Sequence, residues 1–72
     1  MSTYLLPVVD DEYSPFIVKV VARSYTDAKE KFMKFFYDHY DWELLVDWDD
    51  FLQYACEEKN WGIGEISDKD DF

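Results

Sequence analysis

The sequence predicts an α+β fold, a two-layer β-β-α-α-β arrangement in which a three-stranded, mainly antiparallel sheet is covered on one face by two helices. Three observations carry that reading. Apolar residues alternate with period two over residues 3–9 and 16–23. Two later stretches, each opened by a capping residue, repeat apolar residues at helical spacing, and a further apolar run surrounds Gly62. At 72 residues the chain is a single domain, near the size at which one core only just offsets chain entropy.

Thr3 to Val9 reads as a strand, and Pro7, which has no N–H, places it at a sheet edge or strand start. Asp10-Asp11-Glu12-Tyr13-Ser14-Pro15 reads as a polar turn. Phe16 to Arg23 is the strongest strand, with Phe16, Val18, Val20 and Ala22 toward the core and Ile17, Lys19, Val21 and Arg23 opposite. The two runs form a hairpin. With both helices on one side, Ile17, Val21 and either Leu5 or Val9 lie on an open face suited to dimerisation or partner contact.

Ser24 and Asp27 have capping-box spacing, in which each side chain meets the other residue's backbone N–H. The helix they open is predicted over Tyr25 to Tyr40, with a stripe of Ala28, Phe32, Phe35 and His39 flanked by Phe36 and Tyr25. Residues 41–46 fit a loop, a helical turn or a short strand, packed in each case by their apolar content. Asp47 caps a second helix with Asp50 at the third position, while Val46 and Phe51 have the spacing of a hydrophobic staple. Trp48, Phe51, Leu52, Ala55 and Lys59 continue its stripe. Gly62 supplies a left-handed residue after its last turn. Trp61 to Ser67 is then a third strand, and residues 68–72 a charged, flexible tail.

The chemistry the chain lacks narrows its function. Cys56 is the single cysteine and His39 the single histidine, which excludes an internal disulfide and argues against zinc. Cys56, next to Ala55, is expected as a small core residue, and His39 as a packing or capping residue rather than an acid-base group. Asp47, Asp49 and Asp50, like Asp68, Asp70 and Asp71, lack the glycine and glutamate spacing of a calcium loop. The two glycines, Gly62 and Gly64, make no phosphate loop, and no serine stands in a nucleophile motif. No enzyme activity, cofactor or metal is expected. The N-terminus has neither the pattern of a signal peptide nor a membrane span, and a free cysteine suits a reducing compartment, so a cytoplasmic protein is expected.

What the chain has in excess is acid and aromatic mass. Its net charge of −10 lies wholly in the second half: residues 38–72 hold twelve acids and two bases, residues 1–37 five of each. Such a chain is repelled by nucleic acid and anionic membranes and attracted to basic surfaces. Asp50, Gln53 and Glu57 share one helix face. Asp38, Asp41, Glu43, Asp47, Asp49 and Glu58 extend it. In or beside the acidic half, Tyr37, Tyr40, Trp42, Tyr54 and Trp61 are candidate interface anchors, and Tyr54 and Trp61 complete the expected partner-binding set.

In its size, its acidity concentrated on one side and its compact mixed fold without catalytic residues, the chain resembles small phage-encoded inhibitors of host defence, the anti-CRISPR proteins and other DNA mimics. The resemblance implies a non-enzymatic inhibitor acting in the host cytoplasm. It would dock on the basic nucleic-acid-binding surface of a CRISPR-Cas or other nucleic-acid-binding effector and block DNA or guide engagement. The alternative is a small homodimeric structural or regulatory adaptor that binds through the open sheet face.

Overall fold

The first strand, β1 (Ser2–Val9), is the middle of the sheet and not its edge. The structure, a computed structural model, describes residues 1–69; Asp70, Asp71 and Phe72, read above as part of a tail, lie outside them. β1 pairs antiparallel with β2 (Pro15–Ala22), in register from Ser2↔Ala22 to Val9↔Pro15. On its other side it pairs with two short strands, β3 (Gly62–Ile63) at Val8 and Val9 and β4 (Ser67–Asp68) at Tyr4 and Leu5. The single third strand expected over Trp61 to Ser67 is therefore split, and the register slips by one residue between its halves.

Pro7 accounts for both departures. Its carbonyl accepts the Gly64 N–H at 2.8 Å. In an antiparallel ladder the N–H and C=O of one residue face the same neighbour, so the Pro7 nitrogen faces the incoming strand with no proton to donate. A central strand thus tolerates a proline where the strand beside it is interrupted. The chain leaves the ladder over residues 64–66 and returns at Ser67. Gly64 is required by the approach itself, since a Cβ there would lie 2.6 Å from Pro7 Cγ.

The hairpin closes through a three-residue loop. Asp10 N–H donates to Ser14 C=O and Tyr13 N–H to Asp10 C=O, at 3.2 and 3.0 Å, while the Asp10 carboxylate accepts the Glu12 and Ser14 N–H groups. Tyr13 takes the left-handed conformation, φ 64°, that ends this turn type.

Helix α1 (Tyr25–Tyr40) starts at Ser24, whose Oγ accepts the Asp27 N–H at 3.1 Å. The return bond differs from the capping box: the Asp27 carboxylate accepts from Arg23 N–H, one residue before the cap, at 3.0 Å. Lys31 completes the group, 3.6 Å from Asp27 and donating to Val21 C=O at 2.6 Å. The buried side chains of α1 are Ala28, Phe32, Met33 and Phe36. The predicted stripe is turned on its axis, leaving His39 and Tyr25 exposed and Phe35 half-buried. Helix α2 (Trp48–Glu57) is capped by Asp47, which accepts from Asp49 N–H at 2.8 Å, one position before the expected Asp50. The staple does not form, because Val46 is 95% exposed while Phe51 is buried. Cys56 is exposed too, since it lies about 100° round the helix from the buried Ala55.

Both helices end alike. Asp41 and Asn60 take left-handed conformations, φ 58° and 59°, and the tryptophan after each donates its N–H to a carbonyl six residues back, Trp42 to Phe36 at 3.3 Å and Trp61 to Ala55 at 2.9 Å. Asn60, not Gly62, is the left-handed residue, as a short polar side chain allows. The core lies between these helices and the sheet face of Tyr4, Leu6, Val8, Phe16, Val18, Val20 and Ala22. Ile17 and Val21, 58% and 52% exposed, lie with Val9 on the open face, as alternation requires.

Phe36 is fully buried, and Phe36→Ala is expected to cost about 3–5 kcal/mol in urea unfolding, whereas Cys56→Ser, on the surface, should stay within about 0.5 kcal/mol of wild type. Asp27 gives a pH signature. The Arg23 N–H, and to a lesser extent Lys31, hold its carboxyl below the ordinary value of 3.8. On acidification the unfolded chain therefore takes up this proton first. The stabilisation is present above about pH 4 and disappears as pH falls through the lowered folded value. The stability difference between wild type and Asp27→Asn should be constant from pH 7 to about 5 and shrink toward pH 3.

Candidate acidic interface

The aromatic residues of the second half form the scaffold on which its carboxylates stand. Trp42 stacks on Phe36 with centroids 4.6 Å apart and meets Phe51, Tyr54 and Trp61 at 5.8, 5.8 and 5.0 Å. The end of α1, the segment 41–46, α2 and the approach to β3 are joined at this one ring. Trp61 also packs edge-on to Phe16 and Tyr40. Tyr54 Oη accepts the Glu43 N–H at 3.3 Å, and Lys59 Nζ lies 5.5 Å from its ring centre.

These contacts separate the expected partner-binding residues into two groups. Asp38, Asp41, Glu43, Asp47, Asp49, Asp50, Glu57 and Glu58 are all exposed, and none forms an ion pair among the described residues. Tyr54 and Trp61 are half-buried in the aromatic scaffold, where they hold the surface up and present little of themselves to a partner. Trp42, 4% exposed, is core. Of the aromatic anchors proposed from sequence, Tyr37 and Tyr40 remain exposed.

The arrangement along α2 follows from its periodicity. Asp47 and Asp49 surround the helix start, where carboxylates are favoured by the dipole, and Asp50, Gln53 and Glu57 form a row down the outer face. Gln53 Nε2 donates to Glu57 Oε2 at 3.1 Å, which fixes two members of that row side by side. Asp38 and Asp41 stand at the end of α1, which Trp42 presses against the middle of α2, and Glu43 is tied to α2 through Tyr54. Asp41 and Glu43 are thus joined to α2 through the Trp42 and Tyr54 rings. No three His, Cys, Asp or Glu side chains among the described residues are grouped to hold a metal ion.

Two residues of this surface were hidden in the sequence pattern. Leu44 and Val46 are exposed within the acidic half, beside Glu43 and Asp47, and with Met33 and Leu45 they line a shallow apolar groove of about 280 Å³ over α1. Spacing pointed to Val46 as a staple, so the only available signal was a packing role. Here it is an apolar residue among acids. On the open face of the sheet, Pro7, Val9, Pro15 and Ile17 line a larger apolar groove of about 640 Å³ with Gly62 and Gly64.

No described helix is long and apolar enough to cross a membrane. Compared with known protein families, curated proteins and solved structures, the chain matches none.

Proposed function

We propose that this chain is a non-enzymatic binding protein whose acidic end docks on the nucleic-acid-binding surface of a basic protein, in the manner of a DNA mimic, and blocks that protein's access to DNA or guide RNA. A CRISPR-Cas nuclease of a host cell is the target class the resemblance implies. One observation supports this reading above others: a row of exposed carboxylates, free of ion pairs among the described residues, runs along the outer face of α2, whose inner face packs into an aromatic cluster around Trp42. A basic groove that accepts the closely spaced phosphates of duplex DNA presents Lys and Arg side chains complementary to such a row. Leu44 and Val46, exposed among the acids, add apolar contact that phosphates cannot supply. Asp50 and Glu57 lie at the centre of the proposed contact, with Asp47, Asp49 and Glu58 around them.

The test is DNA cleavage by purified CRISPR effectors with the protein as competitor, over a salt series. Inhibition is expected to weaken as salt rises. The double variant Asp50→Lys/Glu57→Lys, folded by circular dichroism, should lose affinity by about tenfold or more. Inhibition unchanged in that variant would overturn the reading.

The apolar groove on the open sheet face favours a second reading, a small adaptor that binds its partner through that face. Val9 lies there, on the side of the sheet nearer β3. Val9→Lys is expected to abolish binding through the open face while leaving competition by the acidic end intact, which a paired binding assay would separate.

A further inference from the structure

The outer edge of β2 carries a hydrogen-bonding pattern that closes on a second copy of itself. Three bonds establish which of its backbone groups point outward. Asp10 N–H donates to Ser14 C=O, so this is a hydrogen-bonded pair. The alternation of an antiparallel ladder then makes Val9–Pro15, Pro7–Ile17, Leu5–Lys19 and Thr3–Val21 the non-bonded pairs. Pro7 C=O accordingly turns away from β2 to Gly64, and Val21 C=O accepts from Lys31 on the far side from β1. Pro15, Ile17, Lys19 and Val21 therefore present their backbone groups away from β1, where no strand pairs with them among the described residues. Two positions on this edge are closed. Pro15 has no N–H, and Val21 C=O already holds Lys31 at 2.6 Å.

We propose that β2 pairs antiparallel with β2 of a second copy, about a two-fold axis at Val18, so that two sheets become one. In this register Ile17 lies opposite Lys19 and Pro15 opposite Val21. The donor that Pro15 lacks falls opposite the acceptor that Lys31 fills. Every other outward group finds its partner: Ile17 and Lys19 exchange both bonds, and Val21 N–H meets Pro15 C=O. Shifting the strands by two residues one way leaves Lys19 C=O facing the proline nitrogen. Shifting them the other way aims Ile17 N–H at the occupied carbonyl and sets Lys19 against its own counterpart, a like-charge pair. Proline and lysine on an edge discourage indiscriminate pairing. Here the antiparallel register they leave open is the self-complementary one, which is the geometry of an isologous dimer.

Charge agrees with this arrangement. Lys19, Arg23 and Lys31 belong to β2, its end and the helix packed on it, whereas α2 packs against β3 on the opposite side of the sheet. Pairing through β2 therefore sends the acidic α2 helices of two chains, each of net charge −10, to the far ends of the assembly. The dimer rests on the edge pattern and is independent of what binds the acidic end or the open face.

The experiment is sedimentation equilibrium of the full chain across the micromolar range, with amide hydrogen exchange followed by NMR on the same samples. The expected result is a mass that doubles with concentration, together with exchange at Ile17, Lys19 and Val21 that slows about tenfold or more as the dimer fills. Val18 and Val20, bonded within the hairpin, should be unaffected. Ile17→Pro removes an N–H that lies outside the β1–β2 ladder and should give a folded monomer. The proposal is overturned by a single-chain mass at all concentrations, by exchange at Ile17, Lys19 and Val21 that ignores concentration, or by a folded Ile17→Pro that still dimerises. Should that variant not fold, the wild-type exchange pattern decides alone.

Discussion

The packing of Trp42 between Phe36 and the aromatic rings of α2 is the constraint on which the rest of the structure depends. The second half of the chain has little backbone pairing to hold it: β3 and β4 are two residues each, and residues 41–46 form no regular element. Its attachment to the hairpin and α1 is made instead through rings, with Phe36 touching Trp42, Phe51 and Trp61 within 6 Å. Such contacts contribute through large buried area and through edge and offset geometry, about 0.5–1.5 kcal/mol per pair beyond the area term. In a small domain whose single cysteine rules out an internal disulfide, aromatic mass is the remaining resource. The helix ends deliver it, since at each one a left-handed residue turns the chain and the next residue is a tryptophan aimed inward.

Pro7 organises the sheet by subtraction. A proline in a central strand ordinarily breaks a ladder, and here it does so on one side only. The β2 side keeps its full register of eight pairs, because the Pro7 nitrogen points the other way. On the β3 side the missing donor divides what would be one strand into two short ones. The sheet therefore has one long edge and one interrupted edge. The long edge lies with the electrically balanced half of the chain, and the interrupted one with the acidic half.

Much of this was legible in the sequence, and the misses have a common physical cause. The hairpin, the faces of its strands and the span of α1 followed from period two, period 3.6 and the Ser24 cap, all of which are local. What local pattern could not supply was the direction in which an ambiguous side chain turns once a tertiary neighbour competes for the space. Val46 and Phe51 have staple spacing, yet Leu45 is the residue that packs on the core and Val46 is left outside. Cys56 and Ala55 are both small, and the helix phase buries only the alanine. Trp61 and Tyr54 had the composition of interface anchors, but a chain this short in other core material draws them inward. Pro7 suggested an edge strand, because a sequence shows that a donor is missing without showing which side of the strand lacks it.

The separation of tasks between rings and carboxylates has a consequence for the acidic end. Of its exposed acids, Asp47 is spent on a helix cap and Glu57 accepts from Gln53, while Asp41 serves the fold through its backbone conformation. Glu43 is held through its N–H by Tyr54, and Asp49 and Asp50 stand in the first turn of α2, while the side chains of Asp38 and Glu58 form no hydrogen bond or ion pair among the described residues. Holding so many like charges together costs self-repulsion, which a scaffold built on ion pairs would have relieved by neutralising them. A scaffold of buried rings holds the surface in shape and leaves its charge unspent. That is the property a surface needs if its ligand is to be a cluster of lysines and arginines, because the energy of neutralisation is then released on binding and not on folding.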